Sequence, residues 1–284
     1  MATNPLKAHF RKPTTYVRLP TLGRWYNGEE VATTEEGEVA VYALTALDDI
    51  LLNTPDAMLN GQALEKVVAN CAPDVKNVKR LMIPDLEAIF VGMKAATNGG
   101  KADYDRKCPK CNHENSFELH CQHLLDASTF VNEDELTIRF DDDLLVHVRP
   151  YDFEMRQIFI KREFEEEKTL RMIEKTGGEL DEITKANLLG ESVDRLSKMT
   201  FALVARSIEK VVMLKEGISV SDHEHISEWL TQISKPQADI VIEAVNRLNQ
   251  MGIPKTLPVQ CQSCEHQWDD TLSFDPTSFF VKRS

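Results

Sequence analysis

The amino-acid sequence predicts an α+β protein: a small N-terminal α/β unit plus a split four-cysteine zinc ribbon that is interrupted by a mainly helical inserted domain. Three observations lead there. The pattern Cys-x-x-Cys-x-His occurs twice, at Cys108-Pro-Lys-Cys111-Asn-His113 and at Cys261-Gln-Ser-Cys264-Glu-His266. Each copy runs into alternating apolar residues, Phe117 and Leu119 after the first, Trp268, Leu272 and Phe274 after the second. Between the copies, residues 150–252 carry apolar side chains mostly at helical spacing. The expected divisions are a basic extended arm (1–24), a strand-plus-helix unit (25–107), the first half of the ribbon with a hairpin (108–149), the helical insert (150–252), and the second half of the ribbon with a C-terminal tail (253–284).

A Cys-x-x-Cys pair puts two thiolates on one tight turn, and two such turns complete a tetrahedral site for Zn²⁺. Cys108, Cys111, Cys261 and Cys264 are therefore the expected ligands, with His113, His266, Cys121 and His123 in reserve. The intervening residues 112–260 number 149, far more than an ordinary ribbon spacer. Closure entropy grows only with the logarithm of length, so going from roughly 20 residues to this spacer costs about 2 kcal/mol, against about 10 to 16 kcal/mol from a structural Zn²⁺. A redox dithiol is the competing reading, but that chemistry favours a single pair at the start of a helix.

From Thr15 to Val41 the chain reads extended, with Pro20, Gly23 and Gly37 as interruptions. Thr45 caps a short helix with Asp48 at its N-terminus, a second helix runs from Gly61 to Asn70, and a third follows Pro84-Asp85 with Leu86, Ile89, Phe90 and Met93 on one face. Cys71, at the end of the second, reads as a small core residue. Leu136–Phe140 and Leu144–Val148 alternate in period two across Asp141-Asp142-Asp143, a hairpin pattern. The three acids lack the later ligands of a calcium loop. Beyond Pro150 come a helix over 152–175, broken at Gly177-Gly178, and a longer one from about Ala186 to Leu214. Leu189, Val193, Leu196, Met199, Leu203, Val204, Ile208 and Val211 are its expected buried stripe. Ile218–Val220 is a short strand, Asp222 caps the next helix, and Pro236 opens the last.

Hydrophobic residues make up 42% and charged residues 28% of the 284, the balance of a soluble globular protein with room for two cores. No apolar run approaches the roughly 20 residues of a membrane span. The N-terminus has no apolar signal core, so synthesis in a cytoplasm is expected, where thiolates bind metal rather than pair as disulfides. The net charge is −13, yet residues 1–24 hold Lys7, Arg11, Lys12, Arg18 and Arg24 and no acid. The arm's +5 leaves −18 on the remainder. An acidic body argues against wrapping nucleic acid, whereas the basic arm suits an acidic protein neighbour. Lys7, Arg11, Lys12 and Arg18, with the terminal pair Phe279 and Phe280, are the candidate partner-binding residues. No phosphate-binding glycine loop, nucleophile elbow or catalytic zinc pattern with an open position is found, and His223-Glu-His225 lacks metalloprotease spacing.

Leu19-Pro20, Gly23 and Tyr26, then Val41-Tyr42-Ala-Leu-Thr45-Ala-Leu-Asp48-Asp49-Ile-Leu-Leu-Asn53-Thr-Pro55, Asn60-Gly61, Asp85 and Cys108-Pro-Lys-Cys111 resemble, in that order, the baseplate hub subunit family of T-even-type, contractile-tailed bacteriophages. The helical insert, Ile218–Val220 with its following helix, the second Cys pair and the closing Leu272-Ser-Phe274-Asp275 to Phe279-Phe280 are similar to the rest of that family. Asn98 to Tyr104 departs from it, where a tighter Tyr-Gly turn is expected before the strand. The resemblance implies a non-enzymatic virion component of the phage tail baseplate, near the tail axis. Its expected partners are central hub and spike proteins, tube-initiator or wedge subunits. The alternative from another class is a zinc-ribbon adaptor on nucleic acid or a polymerase.

Overall fold

The computed structural model describes residues 5–54, 61–97, 99–140, 142–176 and 182–272. Packing divides the chain into two units, residues 1–131 with 250–284, and residues 132–249. The second interrupts the first.

The first unit is built on one helix. Ile83–Thr97 (α3) buries Leu86, Ala88, Ile89, Phe90, Val91 and Met93 and has almost no polar face, as expected of a helix covered on all sides. It packs on the antiparallel pair Thr15–Arg18 (β1) and Glu38–Val41 (β2), which turn Val17, Val39 and Val41 inward. Ala46–Leu52 (α1) begins with a capping box, in which the Thr45 side chain accepts from the Asp48 N–H and Asp48 accepts from the Thr45 N–H. Gln62–Cys71 (α2) adds Leu64, Val67 and Val68 to the core, and Cys71 lies fully buried beside them. After α3 come the antiparallel strands Lys101–Lys107 (β3) and Glu114–His120 (β4), then Cys121–Asp126 (α4). The chain returns at Gly252, whose N–H donates to Thr129 O while its own carbonyl accepts from the Thr129 N–H. Gly252 has φ +91°, and an added Cβ would lie 2.8 Å from Pro20 Cγ, so this re-entry requires glycine. Thr256–Gln260 (β9) and Gln267–Thr271 (β10) close the unit.

The second unit holds a four-stranded antiparallel sheet in the order Thr137–Arg139 (β5), Leu144–Val148 (β6), Ile208–Met213 (β7) and Ile218–Val220 (β8). Four helices accompany it, Phe153–Thr176 (α5), Glu182–Arg206 (α6), His223–Gln232 (α7) and Lys235–Gln250 (α8). Val146, Val148, Leu203, Val204, Ile208, Ile226, Leu230, Val241, Val245 and Leu248 form its core.

Three expectations change. The 136–148 hairpin, expected with the first half of the ribbon, pairs through β6 with β7 and so belongs to the inserted unit, because its open edge needs backbone partners that only β7 supplies. The helix expected to continue to Leu214 ends at Arg206: Ile208 and Val211 suit helical spacing, but the β-branched run Val211-Val212 pairs as strand. The basic arm is not one free segment. Val17 and Leu19 are core residues, and Arg11 reaches back across Tyr42 to the carbonyls of Ala43 and Asn70 (2.7 Å to the latter). One carbonyl in the last turn of α2 (Asn70), one loop carbonyl (Ala43) and a ring face offset the cost of ordering that cation.

Asp85, in the first turn of α3, is wholly buried. It accepts from the Thr21 N–H (2.9 Å), the Thr21 hydroxyl (2.5 Å) and the Tyr26 hydroxyl (2.5 Å), while Tyr26 Oη accepts the Met82 N–H (2.7 Å). Burial raises the Asp85 carboxyl to about 6, with the three donors acting in opposition. An acid raised in the folded state stabilises the fold fully below its ordinary value of 3.8, and that contribution is lost as pH rises through the folded value. Relative to Asp85→Asn, wild-type stability should therefore fall between about pH 4 and about pH 6 and run parallel above about pH 7. Urea midpoints across that range test it, and parallel curves throughout would show that folding leaves the carboxyl's titration unshifted.

Gly92 in α3 faces β1, where an added Cβ would lie 2.4 Å from Val17 Cγ2. Alanine is the better helix former by about 1 kcal/mol. Val17 is 1% exposed and cannot withdraw, so Gly92→Ala should nevertheless destabilise, by about 1 to 3 kcal/mol. A stabilised variant in thermal or urea denaturation would contradict this packing.

Candidate metal centre

Both Cys-x-x-Cys segments sit at hairpin tips, the first joining β3 to β4 and the second joining β9 to β10. They fold alike because they are bonded alike. The Cys108 N–H donates to His113 O and the Cys261 N–H to His266 O, both at 2.9 Å. The Asn112 N–H returns to Cys108 O (2.9 Å) and the Glu265 N–H to Cys261 O (3.0 Å). Asn112 and Glu265 both take φ +58°, a left-handed position that lets the chain reverse immediately after the second cysteine. The first cysteine of each pair also accepts a backbone N–H at its sulfur, from Lys110 and from Ser263, both at 3.4 Å.

The four sulfurs meet. Cys108 Sγ lies 3.7 Å from Cys264 Sγ and Cys111 Sγ 3.7 Å from Cys261 Sγ, and all four ligand atoms lie within 4.8 Å of one another. All four are free thiols. Cys108 and Cys261 are buried, Cys264 is half-buried and Cys111 faces solvent, so the cluster lies just below the surface. Bare thiols share this space unequally. Burial acts to raise Cys261, but the N–H groups of Cys264 and Ser263 and the neighbouring thiols outweigh it and bring it down to about 6. At Cys111 the His113 N–H acts downward, yet the other three sulfurs push the thiol up to about 12. Four thiolates cannot coexist here without a cation; with one, the cluster can hold a metal ion.

Contacts besides the sulfurs also join the two knuckles. Asn115, 1% exposed, receives the Gln262 N–H at Oδ1 (2.8 Å) and donates through Nδ2 to His113 O (3.0 Å). Arg106 bonds Asp270 at 2.7 Å, and Phe117 meets Trp268 edge-on at 6.5 Å between centroids. Nothing in the sequence pattern singled out Asn115 or the Arg106–Asp270 pair, since their roles depend on the distant knuckle being present. The reserve ligands are not among the clustered groups. His113 and His266 contribute their carbonyls to the turns, and the His120 and His123 rings lie 5.1 Å apart, tilted by 34°.

The expected partner-binding residues fall elsewhere. Lys7 and Lys12 are exposed. Arg11 is held as described above, and Arg18 donates to Glu36 O (3.2 Å) with its guanidinium 4.7 Å over the Phe130 ring. Phe279 and Phe280 lie outside the described residues. Among the described residues no helix is long and apolar enough to cross a membrane.

A family model described as the T4 bacteriophage base plate protein matches residues 34–281, a span that contains both knuckles and the whole inserted unit. Comparison with curated proteins and with solved structures gives no match. With nearly the entire chain covered by that one match, the protein belongs to the T4 bacteriophage base plate protein family and is a structural component of the virion's tail baseplate.

Proposed function

We propose that this protein is a hub subunit of the baseplate whose first unit is closed by one structural Zn²⁺ on Cys108, Cys111, Cys261 and Cys264. The observation that carries the metal is the sulfur geometry. Thiolates about 2.3 Å from a tetrahedral Zn²⁺ stand about 3.8 Å apart; the Cys108–Cys264 and Cys111–Cys261 sulfurs are separated by 3.7 Å, and all four lie within 4.8 Å of one another. Four thiolates fill the coordination shell and leave no position for substrate or water, so the ion's contribution is mechanical. It ties the hairpin before the insert to the hairpin after it. The hub placement rests on the order of the segments that resemble the hub family, and it carries no enzymatic role. Partners in this reading are central hub and spike proteins, tube-initiator or wedge subunits. Lys7 and Lys12, with Arg11 and Arg18 beside them and Phe279 and Phe280 in the tail, meet an acidic neighbour.

Protein purified without chelator should contain one zinc per chain, and Cys261→Ser should abolish that stoichiometry. Hydrogen exchange should then rise over residues 108–120 and 256–271, where the metal link is lost. It should change much less at 203–213 and 241–248, which lie in the separately packed unit. No zinc in the wild type would end the metal reading, and a uniform rise along the chain would show the two units to be one cooperative block.

The double variant Lys7→Glu/Lys12→Glu should fold and load metal like the wild type but join baseplate intermediates more slowly at low salt. Rim charges act mainly on association rate, and salt screens them. The wild-type rate should accordingly fall towards the variant's as ionic strength rises. Equal rates at every salt concentration would remove the basic segment from the interface.

A further inference from the structure

The hairpin of α5 and α6 lacks the core that normally holds two long helices together. Phe153 and Met155 at its start and Leu203, Val204 and Ala205 at its end are buried, but between them Ser192 is the one buried side chain among those described. Ser192 is polar, and it donates to Glu166 Oε2 (2.6 Å), which also takes the Arg195 guanidinium (2.7 Å to Oε1). A two-helix finger whose apolar seam residues, Leu170, Leu188, Leu196 and Met199 among them, are only half-buried gains less from burial than a fully covered pair, and helices draw most of their stability from tertiary packing of an apolar face.

The outer face of α6 supplies such a stripe. Ile183, Ala186, Gly190, Val193, Ser197 and Thr200 follow one another at spacings of three and four, so they share one face of the helix. All six are exposed, Ile183 by 75% and Val193 by 61%. None is charged in a chain where 28% of residues are. A Cβ at Gly190 would meet nothing within 4 Å, so the notch it leaves serves no contact within the chain. Helical spacing predicts Val193 on a buried stripe, and the single chain leaves it outside.

We infer that this stripe is a docking face for a second copy of the same chain, with the two α6 helices crossing antiparallel about a twofold axis between Glu191 and Ser192. The spacing is symmetric about that point: Ile183 meets Thr200, Ala186 meets Ser197, and Gly190 meets Val193 of the other copy. Val193 enters the Gly190 notch twice, and each large side chain faces a small one. A twofold interface requires this self-complementarity. Charge favours the same occupant. Residues 153–206 hold 11 acidic and 10 basic side chains, a net of −1 within a chain of −13, so two copies repel less through this hairpin than through the acidic parts of their surfaces. The contact is one helix face about 25 Å long, which puts the association at the weak end of specific interfaces.

Sedimentation or light scattering of the full-length, metal-loaded protein tests it. The mass should rise from one chain to two with concentration, with half-association at about 10 µM, as befits a small interface. Val193→Glu should weaken association at least about tenfold, a loss equivalent to about 1.4 kcal/mol. Gly190→Leu should also abolish it while raising the thermal midpoint of the single chain, since leucine is the better helix former and has open space. That opposite movement separates lost docking from lost folding. A wild type that remains one chain up to about 0.2 mM, far above the affinity of a specific small interface, overturns the inference and leaves the stripe to another baseplate protein. Variants that dimerise like the wild type overturn it as well, by placing the contact elsewhere.

Discussion

The meeting of the two Cys-x-x-Cys turns is the constraint on which the architecture of the first unit depends. The chain leaves this unit after residue 131 and re-enters at 250, so the unit exists only if segments on either side of the insert find each other. Sulfur clustering is one point of convergence, and it is supported at several depths. The Thr129–Gly252 backbone pair marks the re-entry, Lys255 bonds Glu87 on the central helix at 2.9 Å, and Arg106–Asp270 and Asn115–Gln262 join the hairpins. Loop-closure entropy is shared among these contacts and lowered further because the insert folds as a compact body whose ends are already near one another.

This arrangement separates two mechanical tasks. The first unit is organised around a helix with almost no exposed face and is fastened by thiols and a buried Asp85–Thr21–Tyr26 cluster, both intolerant of displacement because their polar groups are satisfied only in one geometry. The second unit anchors its sheet and short helices through an apolar core but extends α5 and α6 from it with mostly polar, exposed side chains. A rigid body and a marginally packed helical hairpin suit a component of a large particle. The rigid part holds position, while the hairpin, short of buried apolar area, gains most from being covered.

Charge adds a second level of organisation. A net charge of −13 opposes contact between like acidic surfaces at long range, and the departures from it are local: the basic N-terminal segment and the nearly neutral α5–α6 hairpin. Part of the basic segment is already committed within the chain, since Arg11 and Arg18 sit over Tyr42 and Phe130. Lys7 and Lys12 remain exposed. Assembly specificity can reside in such exceptions, because contact through the general surface is disfavoured at long range.

The sequence by itself determined the α+β class, the cysteine set and most helix ends, since each is written in local chemistry. Two Cys-x-x-Cys turns specify their own geometry, and the Thr45 and Asp222 caps satisfy helix termini within a few residues. Strand pairing in the insert was decided by the tertiary structure alone. Val146 and Val211 are adjacent only once β6 and β7 align, and Ile208 to Met213 reads equally well as helix until that partner is present. The same holds for Asn115, which is one polar residue among many until Gln262 arrives beside it, and for Val193, whose apolar side chain announced burial without saying that its own chain would leave it exposed. Local propensity acts over a handful of neighbours, whereas register, hydrogen-bond partners such as Asn115 and Gln262, 147 residues apart, and the inside or outside of a helix are properties of which surfaces meet.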